Sequence, residues 1–92
     1  MTIDELYRII KERQLKMPEG SYVASLFKAG QDRIIQKVGE EATEVVIAAK
    51  NSDKQKIVSE VADLSFHLLV MLASMNITPE EILAELEKRS KG

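Results

Sequence analysis

The chain has 92 residues, 45% of them apolar and 30% charged, with a formal charge of -2. That length supplies one small domain, residues 1–92, whose core lies near the lower limit for independent folding. The near-balanced charge offers no broad attraction for nucleic acid or anionic lipid, and the absence of cysteine excludes disulfides, thiolate zinc sites and cysteine nucleophiles.

With 4% aromatic residues, four glycines and two prolines against many Leu, Ile, Val, Ala, Glu and Lys, the composition predicts an all-α fold. Thr2 followed three residues on by Glu5 is a capping box, and Leu6, Ile9, Ile10 and Arg13 carry a helical pattern to about Lys16. Met17-Pro18-Glu19-Gly20 breaks that helix. Ser21 is placed to cap a short segment through Val23, Leu26 and Phe27, which Gly30 ends or bends. From about Gln31 to Lys50, Ile34, Ile35, Val38, Ala42, Val45, Val46 and Ala49 form one helical stripe, with Ile47 on the other side.

Asn51 is a stop for that helix, and Ser52 with Gln55 forms a capping box that opens the next one, from about Asp53 to Met75. Along it Lys56, Glu60, Asp63, His67 and Ser74 fall in a strip roughly 60° wide, and apolar residues take nearly all the rest. Such a helix is expected to be buried on most sides. Thr78-Pro79-Glu80-Glu81 then reads as N-cap, N1 proline and acidic first turn of a last helix that turns Ile82, Leu83 and Leu86 inward and ends near Lys88. So few short helices cannot cover the long apolar one, so the predicted architecture is a hairpin-based helical bundle whose four-helix core is completed by a homodimer.

The N-terminus lacks the basic-then-apolar pattern of a secretory signal, which points to the cytoplasm. The longest apolar stretch, Leu64 to Met75, is about half of the roughly 20 residues needed to span a bilayer and is interrupted by His67. A buried helix without a membrane partner is expected.

Four carboxylates stand symmetrically about the central turn: Glu41 and Glu44 ahead of Asn51, Glu60 and Asp63 the same distance behind Asp53. On an antiparallel hairpin they lie at matching heights, about 10 to 17 Å from the bend. Four like charges in one small volume repel and raise one another's pKa values, and a hard cation resolves the conflict. Carboxylate-only ligation suits Mg²⁺, with Mn²⁺ as the alternative, and Mg²⁺ usually completes its shell with water and substrate phosphates. His67 lies one turn beyond Asp63, where a hydrogen bond inside the bundle is a better account than metal ligation. A di-iron centre would need Glu-x-x-His on two helices, which this chain does not offer. Lys28, Arg33 and Lys37 precede the acids and are the bases placed to meet phosphates, with Lys56 on the following helix; Ser21 and Tyr22 are placed to line a substrate mouth.

The order Glu40-Glu41-x-x-Glu44, then Glu60-x-x-Asp63, resembles the signature of the all-α nucleoside triphosphate pyrophosphatases, the group that contains MazG-like enzymes and dimeric dUTPases. The surrounding text narrows this. Ser21-Tyr22, Leu26-Phe27, Gly30, Lys37-Val38-Gly39-Glu40-Glu41-Ala42, Glu44-Val45-Val46, Ala62-Asp63-Leu64 and His67-Leu68-Leu69-Val70 are similar to the phosphoribosyl-ATP pyrophosphatase family, from about Leu6 to Arg89. The resemblance implies hydrolysis of phosphoribosyl-ATP to phosphoribosyl-AMP and pyrophosphate, the second step of histidine biosynthesis. It further implies Glu41, Glu44, Glu60 and Asp63 as metal ligands, and Glu40 or Glu44 as the carboxylate that orients or deprotonates the attacking water. Val23 and Phe66 stand where the family often has Thr and Tyr, which removes two hydroxyls without touching the acidic motif. In some organisms the domain is fused to the next enzyme, the cyclohydrolase, for which 92 residues leave no room. A house-cleaning nucleoside triphosphate pyrophosphatase with the same metal cage, and a non-catalytic helical interaction module, are the competing readings.

Overall fold

Five α-helices follow one another in the computed structural model, which describes residues 1–90: α1 (Ile3–Lys16), α2 (Tyr22–Ala29), α3 (Gln31–Lys50), α4 (Lys54–Ser74) and α5 (Pro79–Ser90). The described residues contain no strand. Local chemistry sets most of the boundaries. Thr2 Oγ1 accepts the Glu5 N–H at 3.1 Å and donates to the Glu5 carboxylate at 3.2 Å, while Ser21 Oγ accepts the Ala24 N–H at 3.1 Å. Thr78 and Glu81 cap reciprocally: Glu81 Oε2 accepts the Thr78 N–H at 2.8 Å, and Thr78 Oγ1 accepts the Glu81 N–H at 3.4 Å. Gly30 ends α2 and begins α3 at once, with φ of 106°, a conformation that a residue with a Cβ rarely adopts.

One cap differs from the sequence reading. Asp53, not Ser52, closes the first turn of α4, accepting the Lys56 N–H at 3.2 Å. Ser52 takes φ of 57° to reverse the chain, whereas an N-cap residue needs extended backbone, as at Asp53 with φ -87° and ψ 105°.

The core lies at one end of the molecule. Tyr7 and Ile10 of α1, Val23 and Leu26 of α2, Ile34 near the start of α3, and Leu69, Val70 and Ala73 near the end of α4 form one buried cluster. Ile10, Ile34 and Val70 have almost no exposed surface, and each such burial stabilises the fold by about 1.5 to 3 kcal/mol. Two polar contacts fix the α4–α5 turn to α1: Tyr7 Oη donates to the Ile77 carbonyl at 2.7 Å, and Lys11 Nζ donates to Asn76 Oδ1 at 2.9 Å. Beyond this cluster α3 and α4 continue side by side as an antiparallel hairpin, with Ala48 buried between them.

Three burial expectations change. On α3 the stripe is split: Ile34 is buried and Val38, Ala42 and Val45 are half-buried, whereas Ile35, Val46 and Ala49 are exposed along with Ile47, and Ala48, outside the stripe, is buried. On α4 burial is confined to His67, Leu69, Val70 and Ala73, leaving Val58 and Val61 exposed, because α3 is the neighbour of its first half. Ile82, Leu83 and Leu86 of α5 face outward rather than inward; that helix is anchored at Pro79, its one buried residue. A periodic pattern identifies an apolar face, but it does not say whether the same chain covers it. By length and composition α4 is long and apolar enough to cross a bilayer, with a mean hydropathy of 1.6, a test that core helices of soluble proteins also meet. It exceeds the Leu64–Met75 run because Ile57, Val58 and Val61 extend the apolar composition toward its N-terminus.

Candidate metal and active site

The hairpin brings three of the four symmetric carboxylates together. One oxygen each from Glu41 on α3 and from Glu60 and Asp63 on α4 lie within 4.8 Å of one another. The side chains of Glu41 and Glu60 are each 13% exposed, so their charges are partly withdrawn from water. The fourth, Glu44, is exposed and lies outside this group. Three residues beyond Glu41, it projects about 60° further round the helix. Among the described residues it makes no hydrogen bond or ion pair.

Bases on the same helices answer part of the negative charge. Lys37 Nζ lies 3.2 Å from Glu41 and 3.5 Å from Glu40. The hydrogen bond to Glu41 is the main cause of a Lys37 pKa above the ordinary lysine value; partial burial opposes it, and Tyr22, Glu41 and Glu40 add favourable charge interactions. Arg33 reaches Glu40 at 3.8 Å, and Lys56 reaches Glu60 at 3.8 Å. Gln36, which the sequence reading did not single out, donates to Glu40 at 3.0 Å. Its spacing of four residues from Glu40 is the available signal. Glu40 is therefore held by Arg33, Gln36 and Lys37.

The predicted mouth residues divide into two groups. Ser21 serves as the cap of α2 and, with Lys28, lines a shallow depression around Met17–Gly20. Tyr22 instead joins the hairpin: its ring stacks on Phe66 at 6.1 Å between centroids, and its hydroxyl meets His67 Nε2 at 2.9 Å. His67 is buried and its Nδ1 donates to the Asp63 carbonyl at 2.7 Å. The histidine thus makes the hydrogen bonds inside the bundle expected of it, on the turn that carries Asp63. Its link to Tyr22 spans 45 positions and has no local sequence signal.

These oxygens are hard donors, suited to a divalent cation of the Mg²⁺ class. Opposite ligands of a Mg²⁺ octahedron are about 4.2 Å apart. Three oxygens within 4.8 Å of one another are close enough to be offered to one such ion.

The sequence model of the phosphoribosyl-ATP pyrophosphohydrolase family matches residues 3–90. The chain belongs to that family. It is 53% identical over 87 residues to the phosphoribosyl-ATP pyrophosphatase of Pelotomaculum thermopropionicum, spanning 95% of this chain and 89% of the relative. The protein of the same name from Sulfolobus acidocaldarius is 49% identical over 89 residues, 97% of this chain and 94% of its own length. A histidine biosynthesis bifunctional protein from Caldanaerobacter subterraneus is 54% identical over 89 residues, but those make up only 43% of that longer chain. The phosphoribosyl-ATP pyrophosphohydrolase match therefore covers the whole hairpin and every residue of the acidic group.

Lys37 has a definite place in the electrostatics of this family member. Because its folded pKa is raised, its pairing with Glu41 is complete below the ordinary lysine value of 10.5 and is lost only as pH rises through the raised one. Lys37→Met should lower the melting temperature of the metal-free protein by about 1 to 6 °C at low salt and neutral pH. The difference, read by circular dichroism, should shrink in 0.5 M salt, roughly where screening reaches contact distance.

Proposed function

We propose that this chain is one domain that hydrolyses phosphoribosyl-ATP to phosphoribosyl-AMP and pyrophosphate, in the cytoplasmic pathway of histidine biosynthesis. The observation that carries the reading is the convergence of Glu41, Glu60 and Asp63 inside a chain that belongs to the phosphoribosyl-ATP pyrophosphohydrolase family. Those three carboxylates would hold Mg²⁺, or Mn²⁺ in its place. When bound, the ion supplies positive charge against the charge that develops on the triphosphate oxygens.

The chain's own groups divide the remaining work. Glu44, next to the cage and without a partner of its own, accepts a proton from the water whose oxygen attacks the α-phosphorus. The bond from that phosphorus to the bridging oxygen breaks, and pyrophosphate leaves. Glu40 is the weaker base because Arg33, Gln36 and Lys37 already occupy its oxygens. Lys37, paired with Glu41 in the metal-free chain, would be available to a phosphate if Glu41 held a metal ion, and Arg33 would offer a planar fork for a second phosphate. Tyr22 lines the approach on the hairpin side, and Ser21 and Lys28 face the depression around Met17–Gly20.

Pyrophosphate release from phosphoribosyl-ATP should require Mg²⁺ and exceed turnover of ordinary nucleoside triphosphates. Glu44→Gln should lower kcat by about 10²- to 10⁴-fold with the circular dichroism spectrum unchanged. Preference for the nucleoside triphosphates, or full activity without divalent metal, contradicts the reading.

A homodimer belongs to the same proposal. Ile35, Gly39, Ala42, Val46 and Ala49 on α3, and Val58, Val61, Ser65, Leu68 and Leu72 on α4, recur at alternating spacings of three and four and are exposed or half-buried. Such spacing makes a seam for another helix. Gly39 adds support, since a Cβ there would meet nothing within 4 Å and the chain's own packing gives no reason for a glycine inside a helix. Sedimentation equilibrium should give twice the 10.3 kDa chain mass, and the double substitution Val58→Glu, Val61→Glu should give the single mass. A wild-type monomer at micromolar concentration contradicts the shared core.

A further inference from the structure

Lys37 touches the acidic cage without belonging to it. It stands four residues before Glu41, and its ammonium lies 3.2 Å from that carboxylate, with both side chains largely withdrawn from water at 18% and 13% exposure. The same ammonium lies 3.5 Å from Glu40, which is outside the gathered carboxylates. An ammonium has three donor hydrogens, so it serves both acids at once. Glu40 is also held by Gln36 at 3.0 Å and Arg33 at 3.8 Å, so its position does not depend on Lys37 alone. Lys56 has the same spacing from a cage acid, Glu60, in a different setting. Its separation is 3.8 Å, its side chain is 61% exposed, and it makes no second ion pair among the described residues.

An ammonium and a divalent cation on one carboxylate repel each other. With metal–oxygen bonds of about 2.1 Å, an ion held by Glu41 would stand roughly 5 to 7 Å from Lys37 Nζ, and the partial burial of the pair leaves less water to screen their charges. Glu41 cannot keep its full attraction to both. Glu40 offers the ammonium a carboxylate it already touches, so yielding Glu41 removes one of two partners and needs no backbone movement. We infer that Lys37 is a built-in counter-ion of the cage, which competes with the divalent cation for Glu41, lowers the affinity of the site for free metal, and is retained by Glu40 when it gives way. The inference rests on the proposed cation site at Glu41, Glu60 and Asp63. It gives Glu40 a task apart from proton transfer, as the berth of the displaced lysine.

Mn²⁺ binding without substrate, measured by calorimetry at neutral pH, tests this. Lys37→Met should raise the affinity about 3- to 30-fold, the scale of repulsion between one unit charge and a dication at that separation. Lys37→Arg, which keeps the charge, should raise it less, and so should Lys56→Met. Glu40→Gln should weaken Mn²⁺ binding more in the wild-type background than in Lys37→Met, because only the former has a lysine that needs the Glu40 carboxylate. Stability supplies an independent readout: the deficit in melting temperature of Lys37→Met should shrink at saturating Mn²⁺, which binds the folded variant more tightly. Unchanged or weaker Mn²⁺ binding by Lys37→Met overturns the proposal, the weaker case making Lys37 an organiser of Glu41. An equal gain in Lys56→Met also overturns it, since net charge alone would then account for the effect. Equal losses from Glu40→Gln in both backgrounds remove the berth. If neither wild type nor Lys37→Met binds Mn²⁺ at millimolar concentration, the cation site itself fails, whereas equal binding by the two strikes only the counter-ion.

Discussion

The gathering of Glu41, Glu60 and Asp63 across the α3–α4 hairpin is the constraint on which the candidate site depends. Three carboxylate oxygens within 4.8 Å of one another are costly in a metal-free protein. The hairpin tolerates them because it is held elsewhere. The cluster built from Ile10, Ile34 and Val70 clamps one end of α3 and α4, and the tight reversal at Ser52 and Asp53 closes the other. Lys37 and Lys56 moderate the repulsion from the flanks, leaving an acidic cage suited to a divalent cation.

The same geometry gives neighbouring acids different partners. Glu40, Glu41 and Glu44 lie within one and a half turns of α3, yet their surroundings separate them. Glu41 points across the hairpin, Glu40 is occupied by three donors, and Glu44 is exposed and uncommitted. In the proposed function, the gathered carboxylates would hold the metal ion and the unpaired one beside them would take the proton of the attacking water. Across the hairpin, the Asp63 turn is tied through His67 to Tyr22, so one end of α2 is coupled to the acidic site.

Much of this was legible in the sequence, because the relevant signals are local or symmetric. Thr2 with Glu5, Ser21, and Thr78 with Glu81 fixed three helix starts through side chains three residues from their partners. The equal distances of Glu41 and Asp63 from the turn placed them together once both segments were helical. Ser52 and Asp53 are equally good caps by residue type, and only the backbone needed to reverse the chain separates them. The outward direction of Ile82, Leu83 and Leu86 was also hidden, since periodicity reports a face but not its cover. Glu44 shares the symmetry of the other acids but not their direction, and the Tyr22–His67 bond depends on tertiary packing alone.

Under the proposed function, Glu41, Glu60 and Asp63 would together hold one divalent cation at the site of phosphoanhydride cleavage. Anomalous diffraction from crystals grown with Mn²⁺ tests it most directly. A manganese peak is expected between α3 and α4, with an oxygen of each of these three residues in its inner coordination sphere. A hairpin without a peak at saturating Mn²⁺, or a peak held by other residues, would contradict it.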